Sequence, residues 1–222
     1  MHFTVECTIM EKISNFVVFE GGDGSGTTTQ LHLLERRLKQ AGLDGQKMPA
    51  FFTTFEPTEG PIGRIIRAAL KNEITITPQT LAYLFASDRN EHIYGKNGIR
   101  ERAARGELVI SDRYAMSSLV YQGIECGDEL PNLLNSRFPA PEVIIFLDIE
   151  PEIALARMKD RSSLEIYEYR DFQEKVREKY KSLLTIYSNH GTKVEVIDAA
   201  KNEQEVAKRV WEIVSQLKLF QN

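Results

Sequence analysis

The sequence predicts an α/β fold: a doubly wound parallel β-sheet flanked by helices. Three observations lead there. Short apolar runs alternate with helical-period stretches from about residue 16 to the end. Several of those runs are apolar on both faces, as strands of a parallel sheet covered on each side must be. A glycine-rich turn joins the first run to the first helix.

Each element follows from its own pattern. Phe16–Glu20 (FVVFE) is a β-rich run ending at Gly21. A helix opens near Gly26, places Leu31, Leu34 and Leu38 on one stripe, and stops near Gly42. The stretch 47–54 reads as a second strand weakened by Pro49. A helix over 62–70 follows Gly60-Pro61, and Pro78 opens a long helix extending to Arg105. Leu108–Asp112 and Glu142–Ile149 are apolar strands, and Pro151 starts another helix. The rest reads as a helix over 170–187, a strand over 193–199 and a final helix over 202–217. Polar, charged residues 158–169 between two helices suit a short lid. The chain thus reads as one domain over 16–222, with an N-terminal extension over 1–15.

With 222 residues, 42% apolar and 27% charged, the chain is long enough to bury a substantial core. A net charge of −4 disfavours a nucleic-acid-binding surface, which needs a basic face. No apolar run reaches the ~18 residues of a membrane span. Two distant cysteines, Cys7 and Cys126, fit a reduced compartment better than a disulfide framework. Residues 1–15 carry no apolar leader region. A cytoplasmic location is the expectation.

The turn Gly21-Gly22-Asp23-Gly24-Ser25-Gly26-Thr27-Thr28 matches the phosphate-loop pattern G-x-x-x-x-G-K-[ST] at Gly21, Gly26 and Thr28. Its glycines let successive N–H groups face a polyphosphate, and the helix that follows points its positive end there. A glycine-rich turn without a ligand is the plain alternative, but the strand before and the helix after are the context a phosphate loop requires. Thr28 would offer its hydroxyl to Mg2+. Thr27 stands where the pattern has lysine, so the loop lacks the charge that normally meets the β- and γ-phosphates. Loss of one preorganised electrostatic contact typically costs ~10²–10³ in rate.

Asp112-Arg113-Tyr114 ends an apolar strand, at the edge where open α/β sheets bind ligands. Alone the pair reads as a surface ion pair. In this place Asp112 can meet Mg2+ through water, and Arg113 can grip a phosphate with two N–H groups.

Three motifs then carry a resemblance. Residues 112–123 (DRYAMSSLVYQG) resemble the DRYxxSSxAYQG stretch of bacterial thymidylate kinases. Residues 83–92 (YLFASDRNEH) are similar to that family's LFAADRxxH helix. Residues 56–63 (EPTEGPIG), followed by Arg64 and Arg67, resemble its EP loop and the helix after it. The matches keep family order from about Phe16 to the last helix. The resemblance implies a P-loop nucleoside-monophosphate kinase that transfers phosphate from ATP to dTMP with Mg2+, in dTTP synthesis, commonly as a homodimer.

It also implies roles. Phe85 would stack on thymine, although at helical spacing it serves a core equally well. Arg89 would reach a thymine carbonyl, and Gln122 offers the donor and acceptor that a pyrimidine edge needs. Ser118 and Tyr121 would line the same pocket. Arg113 and Arg67 would bind the monophosphate, with Asp23 and Glu56 near the sugar and the transferring phosphate.

The sequence departs from the family at two places. Thr27 replaces the lysine, and Phe55 precedes Glu56-Pro57 where many bacterial relatives have arginine. Both changes remove positive charge. Arg157 and Arg161, at the start of the expected lid, are the replacement candidates, and solvated helix ends are the alternative reading of such residues. Two other functions stay open on sequence alone: a catalytically impaired nucleotide-binding regulator, and a kinase for another pyrimidine monophosphate such as dUMP.

Overall fold

A computed structural model describes residues 11–45, 47–158 and 166–221. Its sheet has five strands in the order β2-β3-β1-β4-β5, all parallel. They are β1 (Lys12–Glu20), β2 (Phe51–Phe55), β3 (Leu108–Asp112), β4 (Ala140–Asp148) and β5 (Lys193–Asp198). The helices are α1 (Thr27–Leu43), α2 (Pro61–Leu70), α3 (Pro78–Tyr94), α4 (Ile99–Ala104), α5 (Ala115–Cys126), α6 (Glu129–Asn135), α7 (Pro151–Met158), α8 (Ile166–Asn189) and α9 (Glu203–Val214).

The period-2 alternation of β1 divides the core. Val17 and Phe19 face α1 and α9, packing with Leu31, Leu34, Leu38, Val210 and Ile213. Phe16 and Val18 face the opposite side, with Ile93, Ile99 and Val109. On that same side Ile144 and Phe146 of β4 pack against Val120 of α5 and Val176, Tyr180 and Leu184 of α8. Both faces are apolar because both are covered, and β3 is buried at all five positions. Parallel pairing brings the strand ends to one edge: Phe55 and Phe19 both register with Asp112, and Glu20 registers with Phe146. The loops that follow these ends build the site.

Two differences from the sequence reading have physical causes. β1 begins at Lys12, so the last four residues of the expected extension lie in a strand. Ile13 is buried and pairs with Pro141, but the register shifts before Val17 and Asn15 adopts a left-handed φ of 60°. That irregularity hides the alternation. The helix expected from Pro78 to Arg105 is two helices. It stops at Gly95, where a Cβ would lie 2.4 Å from the Glu91 carbonyl oxygen, and Asn97 turns left-handed at φ 58° before α4. The lid expected over 158–169 falls mostly outside the described residues, and so does Arg161.

Helix α3 carries two of the candidate binding residues, Phe85 and Arg89, and starts with a defined cap. Thr77 accepts a hydrogen bond from the Thr80 N–H at 3.2 Å, and Pro78 fills the first helical position. Thr77→Ala is expected to lower unfolding free energy by about 1 kcal/mol. Urea denaturation should show that loss, and substrate KM values should not move.

Candidate active site

The phosphate loop turns from β1 into α1 with Gly24 at φ 78° and Gly26 at φ 93°, values that side chains rarely tolerate. Gly24 has a second reason to be glycine. A Cβ there would lie 2.8 Å from the Ala154 carbonyl oxygen, because α7 rests directly on the loop. No side chain caps α1 at Gly26, so the N–H groups of its first turn are left for a ligand. Residues Gly22 to Gln30 form one wall of a cleft of about 960 Å³. Leu155, Arg157 and Met158 of α7, with Ala199–Glu203 after β5, form the other.

Thr27 is buried in this loop and brings no charge to it. Among the described residues, the cations lining the cleft are Arg113, Arg157 and Lys201. Arg157 donates to the Ala199 carbonyl oxygen at 2.8 Å, tying α7 to the end of β5. Lys201 drew no attention as sequence. Its signal was its place, in the loop after the last parallel strand.

Thr28 Oγ1 donates to Asp112 Oδ2, bringing together the two residues expected near a metal. Asp112 Oδ1 is buried and, among the described residues, has no hydrogen-bond donor. A buried carboxylate oxygen without a donor, next to a hydroxyl and a phosphate loop, fits Mg2+, which takes one or two protein oxygens and fills its shell with phosphate and water.

Arg113 lies at the junction of loop and helices, with a left-handed φ of 70°. Its backbone N–H donates to the Phe19 carbonyl oxygen at 2.9 Å. Its guanidinium donates to Asp23 Oδ1 at 2.8 Å and to the Gly21 carbonyl oxygen at 3.1 Å. The hydroxyls of Ser117, Tyr180 and Tyr121 stand 3.3, 3.4 and 3.5 Å from the same guanidinium. Tyr121 also donates to Asp23 Oδ1 at 3.1 Å, and Gln173 of α8 approaches Asp23 Oδ2 at 3.3 Å. Asp23, Arg113 and Tyr121, three separate sequence candidates, are therefore one cluster.

Glu56, Arg89 and Ser118 form a second cluster. Arg89 is 1% exposed and grips Glu56 Oε2 through Nε at 2.9 Å and its terminal nitrogen at 2.7 Å. It also donates to Ser118 Oγ at 3.1 Å and to Asn135 Oδ1. His92 Nδ1 lies 3.0 Å from Glu56 Oε1, and its Nε2 is bonded to Thr54 Oγ1 at 2.7 Å. Burial works against the Glu56 carboxylate, but the charge of Arg89 and the hydrogen bond of His92 outweigh it and hold its pKa below the usual range.

Asp88 fixes the same loop by accepting from the Thr58 N–H and hydroxyl, each at 2.7 Å. Asp88, His92 and Asn135 had been given no role. The first two stood inside the α3 motif, and their polar types one turn apart on a buried helix face were the available signal.

The remaining candidates sit nearby in different settings. Arg67 donates to the Pro57 carbonyl oxygen, and its guanidinium lies 5.1 Å from the Phe55 ring centroid. Phe85 is half-buried on α3. Gln122 is buried on α5, and its Oε1 has no donor among the described residues.

Glu56→Gln keeps one acceptor oxygen but removes the negative charge, leaving Arg89 buried without its counter-charge, and is expected to cost about 3–5 kcal/mol at pH 7. A carboxylate with a lowered folded pKa adds stability above its unfolded value of about 4.3 and loses it as pH falls through the folded value. The gap between wild type and variant should therefore narrow below about pH 4. Urea titrations at pH 7, 5 and 3.5 would check this.

The sequence profile of the thymidylate kinase family matches residues 19–210. A protein of Treponema pallidum (strain Nichols), provisionally named a thymidylate kinase, is 40% identical over 206 residues, spanning 90% of this chain and 95% of its own. A Pyrobaculum aerophilum protein named a probable thymidylate kinase is also 40% identical over 206 residues, spanning 92% and 98%. A probable thymidylate kinase of Methanocaldococcus jannaschii is 37% identical over 191 residues, spanning 86% and 89%. With the profile covering most of its length and these relatives aligned nearly end to end, the chain belongs to the thymidylate kinase family.

Proposed function

We propose that this protein transfers the γ-phosphoryl group of ATP to dTMP, giving ADP and dTDP for dTTP synthesis. The observation that carries the reading is Arg113: one guanidinium bonded to both Gly21 and Asp23 of the phosphate loop, just before the helix that bears Tyr121 and Gln122. Donor and acceptor phosphates would meet there.

In this reading the N–H groups of Gly21 to Thr28 and the positive end of α1 hold the ATP phosphates. Thr28 and Asp112 would hold Mg2+, which neutralises charge on the phosphate oxygens. Arg113, assisted by Arg67, grips the acceptor monophosphate. Phe85 stacks on the pyrimidine, while Gln122, Ser118 and Tyr121 shape its pocket. Arg89, mostly committed to Glu56, Ser118 and Asn135, has one remaining N–H direction for a base carbonyl. Asp23 and Glu56 orient the guanidinium groups around sugar and phosphate. An acceptor phosphate oxygen attacks phosphorus in line. No protein base is required, since a phosphate monoester is largely ionised near neutral pH.

The charge missing at Thr27 would be supplied across the cleft by Arg157 and Lys201, and by Arg161 if the segment after α7 folds over ATP. The protein would work in the cytoplasm as a homodimer. Exposed Ile65 and Leu70 on α2, Tyr83 on α3 and Leu133 on α6 offer apolar area for such an interface. No described helix is long and apolar enough to cross a membrane.

A coupled ADP assay with ATP, Mg2+ and either dTMP or dUMP tests the proposal. Turnover is expected with dTMP in the wild type. Arg157→Ala is expected to lower kcat about 10²-fold, and Lys201→Ala to raise the KM for ATP. Absence of dTMP turnover, or turnover favouring dUMP, would overturn the substrate assignment. Unchanged constants in both variants would mean that the lost lysine is replaced from elsewhere.

A further inference from the structure

Glu20 ends β1 on the face where Phe16 and Val18 enter the core, and it is completely buried. A carboxylate at that point needs partners, and it has four contacts. Its Oε1 accepts from the Tyr114 N–H at 3.0 Å and lies 3.4 Å from the Ser117 N–H. Those are the capping residue and first-turn donors of α5, which has no side-chain cap of its own. A residue from a neighbouring strand thus serves the start of this helix. Its Oε2 accepts from Ser117 Oγ at 2.6 Å and from the Tyr180 hydroxyl at 3.0 Å. The Ser117 and Tyr180 hydroxyl oxygens lie 2.8 Å apart, and both reach the Arg113 guanidinium.

Glu20 immediately precedes the phosphate loop, whose first carbonyl, Gly21, accepts from Arg113. None of the roles above uses this carboxyl.

We propose that Glu20 is a positioning residue for phosphoryl transfer: its carboxylate pins the first turn of α5 and, through Ser117 and Tyr180, sets the Arg113 guanidinium against the phosphate loop. It does not touch either substrate. The inference rests on the reading of Arg113 as the arginine of the acceptor phosphate. Removing the negative charge behind Arg113 lets its guanidinium pair more closely with Asp23 and leaves it less well aimed at the incoming phosphate.

The charge on Glu20 is itself marginal. Burial pushes its pKa up to about 7, against the hydrogen bonds from Ser117 and Tyr180 and the positive charge of Arg113. The ionisable groups facing it are Arg113 at the β3–α5 turn and Tyr180 and Tyr187 on α8. On its β4 side the registered neighbour is Phe146, which carries no charge. With a folded pKa above the unfolded value of about 4.3, this group favours the folded state most at low pH. Its contribution declines as pH rises toward about 7. Stability and positioning therefore pull in opposite directions: the protonated carboxyl suits burial, and the ionised one suits Arg113.

Glu20→Gln keeps the shape and removes the charge. At pH 8 its kcat/KM for dTMP is expected to fall at least tenfold, with the KM for ATP within twofold of wild type. The wild-type to variant ratio should shrink as pH drops from 8 to 6, where the wild-type carboxyl takes up its proton. Ionisation of dTMP cancels in that ratio. The melting temperature of the variant relative to wild type should rise from pH 5 to pH 8. A ratio that does not change with pH, or equal losses toward ATP and dTMP with a melting temperature lowered uniformly, would overturn the proposal.

If Glu20→Gln does not fold, Tyr180→Phe removes the hydroxyl shared by Glu20 and Arg113, and the same selective loss toward dTMP is expected. Unimpaired dTMP kinetics in that variant would also overturn it. Arg113→Lys, measured alongside, separates the two levels. Loss of dTMP affinity there with a silent Glu20→Gln rejects only the coupling. A silent Arg113→Lys rejects the acceptor-site reading itself.

Discussion

The site depends on keeping one positive charge, the Arg113 guanidinium, between the phosphate loop and the helices beyond it. Nothing local favours this arrangement. A left-handed backbone at a long side chain costs of order 1–3 kcal/mol, and a partly buried guanidinium gives up water. The fold compensates through the sheet. Parallel pairing sets Phe19 beside Asp112, so the Phe19 carbonyl oxygen receives the Arg113 N–H. Ser111 Oγ donates to the Arg113 carbonyl oxygen at 2.7 Å. The strained residue is held on both sides by the strands it links. Its side chain then leaves β3 toward the loop after β1, its neighbour in the sheet although β2 lies between the two in the chain.

The second ionic cluster solves a different problem. The loop after β2 follows an edge strand that is only half-buried, so sheet packing alone leaves it loose. Helix α3 restrains it through Arg89 and His92 on Glu56 and Asp88 on Thr58. Helix α2 restrains it through Arg67 on Pro57 and through Gly63, where a Cβ would lie 1.9 Å from the Thr58 carbonyl oxygen. Buried ion pairs gain little net stability over apolar packing, and their attested use is in fixing one geometry. The same guanidinium that fixes the loop also reaches Ser118 on α5. Helices α3 and α5 and the Glu56 loop are therefore tied together through one guanidinium.

Much of this was legible as sequence where pattern and chemistry coincide. The phosphate loop could be read because glycines, an apolar strand and a helical stripe fall in succession. Leu108–Asp112 could be read to the residue because every side chain in it is apolar or small until Asp112. The break between α3 and α4 was hidden because no proline stands between Pro78 and Arg105, and the strong helix formers of 100–105 follow Gly95 and Gly98. Glu20 was hidden for the opposite reason: a charged residue after four apolar ones reads as a strand leaving the core, whereas here it stays in. What decides its role is Ser117 and Tyr180, about 97 and 160 positions away. No local window contains those partners. The same holds for Arg89, whose motif identified it but whose commitment to Glu56 and Asn135 appears only when three elements meet.

The loss of the loop lysine is best understood together with Gly24. The loop of this chain carries no cationic side chain, so positive charge for the phosphates comes from other elements, and it is useful only if those elements stand close. Helix α7 does so: Ala154 and Met158 lie against the position where a Gly24 side chain would be, at 2.8 and 3.2 Å from an added Cβ. Arg157 lies between these two contacts on the same helix, and its bond to Ala199 turns it along the far wall of the cleft. A side chain at position 24 would strain a left-handed backbone and push α7 away, taking Arg157 with it. The glycine and the arginine are thus parts of one device. On the proposed reading, closeness of α7 to the loop lets a charge on α7 stand in for the one that Thr27 does not bring.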